Sequence, residues 1–180
     1  MVPRYLAAIP TSRTEIKQSL LNIENKQRSN LFAWNGQFSP QLVEVLLKKY
    51  APRSGTILDP FAGSGTVLHE CGREHLSGVA GEINPSAFSM ARLYGLINVP
   101  QTQRADHLAA VEEALHPFFL ADLELWRGEE QTPRAEVSDL LRLREGLSRW
   151  PVALIEALIV MADPAMKASS SIRSTWQRLK

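Results

Sequence analysis

The residues best suited to chemistry lie together in Ile57-Leu58-Asp59-Pro60-Phe61-Ala62-Gly63-Ser64-Gly65-Thr66, with Glu82 further along the chain. A short apolar run closed by Asp59-Pro60 predicts a parallel strand whose C-terminal end opens on a crevice. There the turn Gly63-Ser64-Gly65 lets a ligand approach bare main chain. A helix beginning near Thr66 points its N-terminal N–H groups into the same crevice and favours an anionic group. An acid at the end of the neighbouring strand, Glu82, can accept two hydrogen bonds from a ribose diol. Together these residues describe a site for a ligand that contains a nucleoside.

Three ligand classes compete for such a site. A nucleotide P-loop needs Gly-Lys-Ser/Thr after its turn, and Gly63-Ser64-Gly65-Thr66 has no lysine. A dinucleotide fingerprint needs a small residue where Leu68 stands, and Asp59 would repel a pyrophosphate. S-adenosylmethionine fits better. It offers a ribose to Glu82, a cationic methionine end to Asp59, and an apolar flank to Phe61.

These residues need elements to hold them. Ile16, Leu20, Leu21 and Ile23 recur near helical spacing between Thr14 and Gln27, with Ser12 or Thr14 as the cap. Arg28 to Phe38 reads as irregular, with a turn at Asn35-Gly36. Ser39-Pro40 is a strong helix start, and Leu42, Val43, Leu46 and Leu47 share one face up to Tyr50, before Pro52. Thr56 to Leu58 predicts a short buried strand, and Thr66 to Glu74 a helix with Val67, Leu68 and Cys71 inward. Leu76 to Ala80 predicts a second strand, and Asn84-Pro85 starts a further helix. Strand, turn, helix, strand and helix in this order make a βαβα unit with a parallel sheet. After Pro100 the pattern turns helical over 104–127, 134–149 and 151–162, with breaks at Gly128, Pro133 and Pro151. The expected organisation is an α/β portion over 1–100 and a helical extension over 101–180.

At this point a family resemblance becomes specific. Asp59-Pro60-Phe61-Ala62-Gly63-Ser64-Gly65-Thr66 resembles the cofactor motif of the DNA amino-methyltransferases, which methylate adenine N6 or cytosine N4. Gly81-Glu82-Ile83-Asn84-Pro85 resembles that family's acidic second motif. Gly36-Gln37-Phe38-Ser39-Pro40 resembles the segment that closes over the methionine part of the cofactor. The three matches stand in the family's order and cover roughly residues 28–98. The resemblance implies a Rossmann-like S-adenosylmethionine-dependent methyltransferase fold, here incomplete and followed by a helical C-terminal extension. It implies that Phe38, Ser39 and Pro40 border the methionyl group, and that Asp59, Pro60 and the turn Phe61, Ala62, Gly63, Ser64, Gly65 and Thr66 hold methionine and sulfonium. Glu82 then takes the ribose hydroxyls, Ile83 lies against adenine, and Asn84 beside them belongs to the cofactor-binding set. The implied reaction is direct methyl transfer to a base nitrogen, in which the protein positions the reactants.

One part of the family pattern is missing. Members carry a tetrapeptide of Asp, Asn or Ser, then Pro-Pro, then an aromatic residue, which binds the amino group of a flipped-out base and stacks on it. No Pro-Pro pair occurs in the 180 residues. Asp163-Pro164-Ala165-Met166 lacks the second proline and the ring, and reads as a helix end. Asn84-Pro85-Ser86-Ala87 fails in the same way. Cys71 follows Glu70 and faces a core, so a cytosine-C5 nucleophile is not expected. The expectation is therefore the cofactor-binding part of a site-specific DNA methyltransferase, of the kind found in restriction-modification systems, with no catalytic residues of its own. A second polypeptide or self-association would complete it, or the chain is a truncation. The alternative is a non-catalytic cofactor-binding or assembly module.

Composition sets the remaining bounds. Residues 1–100 carry 10 basic and 7 acidic side chains, and residues 101–180 carry 10 and 12, so no polycationic field holds DNA by charge alone. The run Lys167 to Lys180 has four basic residues and no acid, and reads as a phosphate contact or a solvated helix end. His69, His75, His107 and His116 show no metal-ligand spacing. Trp34 stands beside the closing segment. A lone cysteine excludes an internal disulfide. The apolar stretch Pro151 to Ala162 is broken by Glu156 and is too short for a membrane span, and Met1-Val2-Pro3-Arg4 lacks a secretory layout. A cytoplasmic protein is expected.

Overall fold

The computed structural model describes residues 14–21, 32, 36–126, 137–167 and 172–180. Two compact units result, Met1–Ala91 and Arg92–Lys180.

The first unit begins with a single helical turn, α1 (Gln18–Leu21). The rest of the helix expected to Gln27, its Ser12 cap, Trp34 and Asn35 lie outside the described residues. Helix α2 (Pro40–Tyr50) starts as its sequence dictates. Pro40 occupies the first turn, and the Leu42 N–H donates to the Ser39 hydroxyl over 3.2 Å, satisfying one of the helix's unpaired donors. Strand β1 (Thr56–Asp59) leads through the glycine turn into α3 (Thr66–Arg73), and β2 (Ser77–Ala80) follows. The two strands pair in parallel, with Thr56 opposite Ser77 and Asp59 opposite Ala80. Helix α4 (Pro85–Leu93) is set by Asn84, whose side-chain oxygen accepts from the N–H groups of Ser86 at 2.9 Å and Ala87 at 3.2 Å.

A small apolar core holds this unit. Val43 and Leu47 from α2 meet Cys71 of α3, and Ala51, Ile57, Val67 and Leu76 pack around them. Helix α3 lies close on β2: a Cβ at Gly78 would stand 3.0 Å from Leu68 Cδ2 and 3.4 Å from the Cys71 Cβ. Glu70, unforeseen as an inward residue, is fully buried on the same helix. Its carboxylate lies 3.1 Å from His69 Nδ1 and 3.6 Å from Arg73 Nε, partners of the kind a buried charge requires.

The buried first strand needs correction. Leu58 is 69% exposed, and β1 alternates exposed and half-buried residues. The reason lies in the sheet, which has two strands among the described residues, whereas a parallel strand is buried only where elements cover both faces.

The regular elements of the second unit are all helices among its described residues. After a 3₁₀ turn (Tyr94–Asn98) come α5 (Gln101–Trp126), α6 (Val137–Arg142), α7 (Arg149–Lys167) and α8 (Ile172–Leu179). Val111, Leu115, Leu140, Ile155, Leu158 and Trp176 are buried, with α7 and α8 packing on α5. Three sequence expectations change here. Pro151 does not break a helix; it sits in the first turn of α7, where its missing N–H costs nothing. Pro164 does not end one either, since α7 continues to Lys167. The helix expected over 134–149 is confined, in its described part, to α6, and Gly146 adopts a positive φ of 85° in the turns that follow. Gly128, Pro133 and the serine run at 169–171 lie outside the described residues.

The basic C-terminal run becomes a packing element in its described part. Helix α8 buries Ile172, Thr175, Trp176 and Leu179. The Trp176 indole N–H donates to Glu112 over 3.1 Å, and Lys180 Nζ donates to the same oxygen over 2.6 Å. Lys180 and then Trp176 hold the Glu112 carboxyl below its ordinary value.

Candidate functional site

The two strand ends and the glycine turn are stitched by main chain. Gly81 N–H donates to the Asp59 carbonyl over 2.9 Å, and Ala62 N–H donates to the Gly81 carbonyl over 3.0 Å. These bonds carry the β1–α3 turn across to the end of β2. Gly63 and Gly65 take positive φ values of 52° and 90°, a left-handed backbone that glycine adopts without a Cβ penalty. Gly65 is the N-cap of α3.

Asp59 folds back on this turn, its side chain accepting the Phe61 N–H over 3.1 Å. Glu82 reaches it from the other side. One carboxylate oxygen accepts the Gly63 N–H over 2.7 Å and the other accepts the Asn84 N–H over 2.7 Å. Those N–H groups, Asn84 first and Gly63 second, hold the Glu82 carboxyl below its ordinary value of 4.5. An ionised, oriented carboxylate results.

A cavity of about 210 Å³ lies between these groups, lined by Gly36, Gln37, Phe38, Asp59, Phe61, Ala62, Gly63, Ser64, Thr66, Val67 and Glu82. Of the expected site residues, eight therefore meet around one space. Ser39, Pro40, Pro60, Gly65, Ile83 and Asn84 lie outside its lining. Ser39 caps α2 and Asn84 orders both Glu82 and α4. Ile83 is wholly exposed, and Phe61 is 86% exposed although it borders the cavity.

Two lining residues, Gln37 and Val67, are not singled out as site residues by the sequence, which places Gln37 only within the closing segment and Val67 only on the inward face of its helix. Gln37 accepts a hydrogen bond from the hydroxyl of Ser64 over 2.9 Å, and Ser64 is only 1% exposed. A short motif such as Gly36-Gln37-Phe38 shows the residue, but not the partner 27 positions away that gives it a place.

The lining also tests the ligand class. It holds two carboxylates and, among the described residues, no Lys, Arg or His. Such walls disfavour a polyphosphate and suit a cation and a diol. The volume is below the several hundred Å³ of a typical closed pocket for a drug-sized ligand.

Comparison with known proteins turns on the same stretch. A family model described as DNA methylase matches residues 11–92. Residues 11–92 belong to the DNA amino-methyltransferase family. Within the curated proteins, the type II methyltransferase M.MjaII of Methanocaldococcus jannaschii is 37% identical over 60 residues. That match takes in 33% of this chain and 11% of the relative, so it spans about a tenth of the relative's length. No solved structure matches the chain.

Among the described residues no group of His, Cys, Asp and Glu forms a metal site, and no helix is long and apolar enough to cross a membrane. Cys71, the lone cysteine, is buried and its thiol pKa is raised, first by burial and then by Asp59 and Glu70.

Proposed function

We propose that the first unit is the S-adenosylmethionine-binding part of a site-specific DNA amino-methyltransferase acting on adenine N6 or cytosine N4. The observation that carries the reading is the convergence of Asp59, the Gly63 main chain and Glu82 on one cavity, with Glu82 fixed by the Gly63 N–H at 2.7 Å. Asp59 would hold the cationic amino-acid end, Glu82 the ribose hydroxyls, and Phe38 with Phe61 the apolar flank. The bound cofactor supplies an activated methyl group. What this chain contributes is binding and orientation, because positioning reacting groups supplies much of the rate in a direct transfer.

The residues that would bind the flipped base are a different matter. With no Pro-Pro pair in 180 residues, the base-binding tetrapeptide would come from polypeptide outside them, together with DNA recognition. The same observation favours a second reading, a cofactor-binding module with no catalysis of its own.

Calorimetry with the full chain tests the cofactor. S-adenosylhomocysteine is expected to bind, and ATP and NAD are expected not to bind, since both would bring phosphates against Asp59 and Glu82. Binding of ATP or NAD without binding of S-adenosylhomocysteine would reverse the assignment.

A further inference from the structure

Ser64 is a polar side chain with almost no exposure, and the hydrogen bond it makes crosses to the segment that precedes α2. That segment is itself anchored: Gly36 turns it with a φ of 82°, and Ser39 ties its far end to the first turn of α2. Gln37 stands between those anchors and lines the cavity. Its carbonyl oxygen is engaged by the Ser64 hydroxyl at 2.9 Å. What the amide has left to offer a ligand is its two N–H donors.

Few other side chains on the lining can donate. Ser64 gives its hydroxyl proton to Gln37, and Thr66 is nearly buried with an interaction of its own. The remaining polar side chains there, Asp59 and Glu82, are acceptors when ionised. An amino-acid end carries both an ammonium and a carboxylate. Asp59 suits the first and repels the second, so the carboxylate needs a donor set apart from the acids.

We infer that Gln37 is a binding residue for the α-carboxylate of the cofactor's amino-acid end, oriented for that task by the buried hydroxyl of Ser64. The inference rests on the cofactor reading above and extends it to a residue and an atom.

Two ligands separate this role from a general one. S-adenosylhomocysteine carries the carboxylate, and methylthioadenosine has the same nucleoside and thioether without the amino acid. Glu at position 37 can still accept the Ser64 hydroxyl but loses both donors and adds a third acid. In calorimetry on the full chain, Gln37→Glu is expected to weaken S-adenosylhomocysteine roughly tenfold or more, the scale of a lost hydrogen bond to a charged group. Methylthioadenosine affinity is expected to stay unchanged. Gln37→Ala gives the same split if Gln37→Glu does not fold, with unchanged circular dichroism as the control. Equal losses for both ligands, or no loss for either, would overturn the inference while leaving the cofactor reading in place. Wild-type protein that binds neither ligand would overturn both.

Discussion

Gly63 and Glu82 are joined by a 2.7 Å hydrogen bond that runs from the main chain of the glycine turn to a carboxylate just past the C-terminal end of β2. The second oxygen of that carboxylate takes the Asn84 N–H, so the acid is oriented from both ends. An acceptor held this way has lost its rotamer freedom before a ligand arrives, which lowers the entropic cost of binding. Glu82→Ala removes both the acceptor and the clamp on the turn. S-adenosylhomocysteine affinity is expected to fall roughly tenfold or more. Calorimetry that returns equal affinities for the wild type and the variant would remove Glu82 from the ribose site.

The same two N–H groups give a pH dependence. They depress the Glu82 pKa in the folded state below its ordinary value of 4.5. A carboxyl with a depressed folded pKa contributes stability that is complete above the unfolded value and is lost as pH falls through the folded value, because the unfolded chain then binds more protons. Glu82→Gln deletes this titration and little else in shape. Thermal melts between about pH 5 and pH 3 are therefore expected to show a steeper fall for the wild type than for Glu82→Gln. Parallel curves for the two proteins would show that the clamp adds nothing to stability.

Gly65 caps α3 in a left-handed conformation, with φ at 90° and ψ at 24°. An alanine there meets a steric cost of roughly 1–2 kcal/mol. Gly65→Ala is expected to destabilise the chain by about that amount in urea, and to weaken cofactor binding because the turn must shift to relieve the strain. Gly36 has a similar φ, but nothing lies within 4 Å of a Cβ built on it. Gly36→Ala should then cost conformational strain without crowding. A Gly65→Ala variant as stable as the wild type would mean that the turn has a second geometry to adopt.

Local signals in the sequence were strongest where one residue decides the backbone. Ser39-Pro40 started α2, Asn84-Pro85 started α4, and the turn at Gly63-Ser64-Gly65 stood between a strand and a helix. Long-range placement was less legible. Leu58 has the composition of a buried strand, yet its exposure depends on which elements cover the sheet, and no window of sequence around it carries that information. Pro151 and Pro164 read as breaks because proline removes a donor. The position of Pro151 within the first turn of α7, which decides the cost, depends on where the helix begins. Gln37 escaped for a similar reason, since its meaning comes from Ser64 across the cavity.

The last prediction concerns the reaction. Family members hold the target base with a polar residue, a Pro-Pro pair and an aromatic ring, and no part of this 180-residue sequence has that pattern. A chain that binds the cofactor but cannot grip the base's amino group has no means of aligning the nitrogen with the methyl group, and alignment is the main contribution a direct transfer requires. Pure protein incubated with DNA and tritiated S-adenosylmethionine is expected to label the DNA no faster than a buffer control. Adding a polypeptide that carries the polar-Pro-Pro-aromatic tetrapeptide is the condition expected to restore labelling, and Glu82→Ala should then suppress it. Rapid labelling by the chain alone would place base-binding groups within these residues and return attention to the exposed aromatic side chains at the cavity mouth, Phe38 and Phe61.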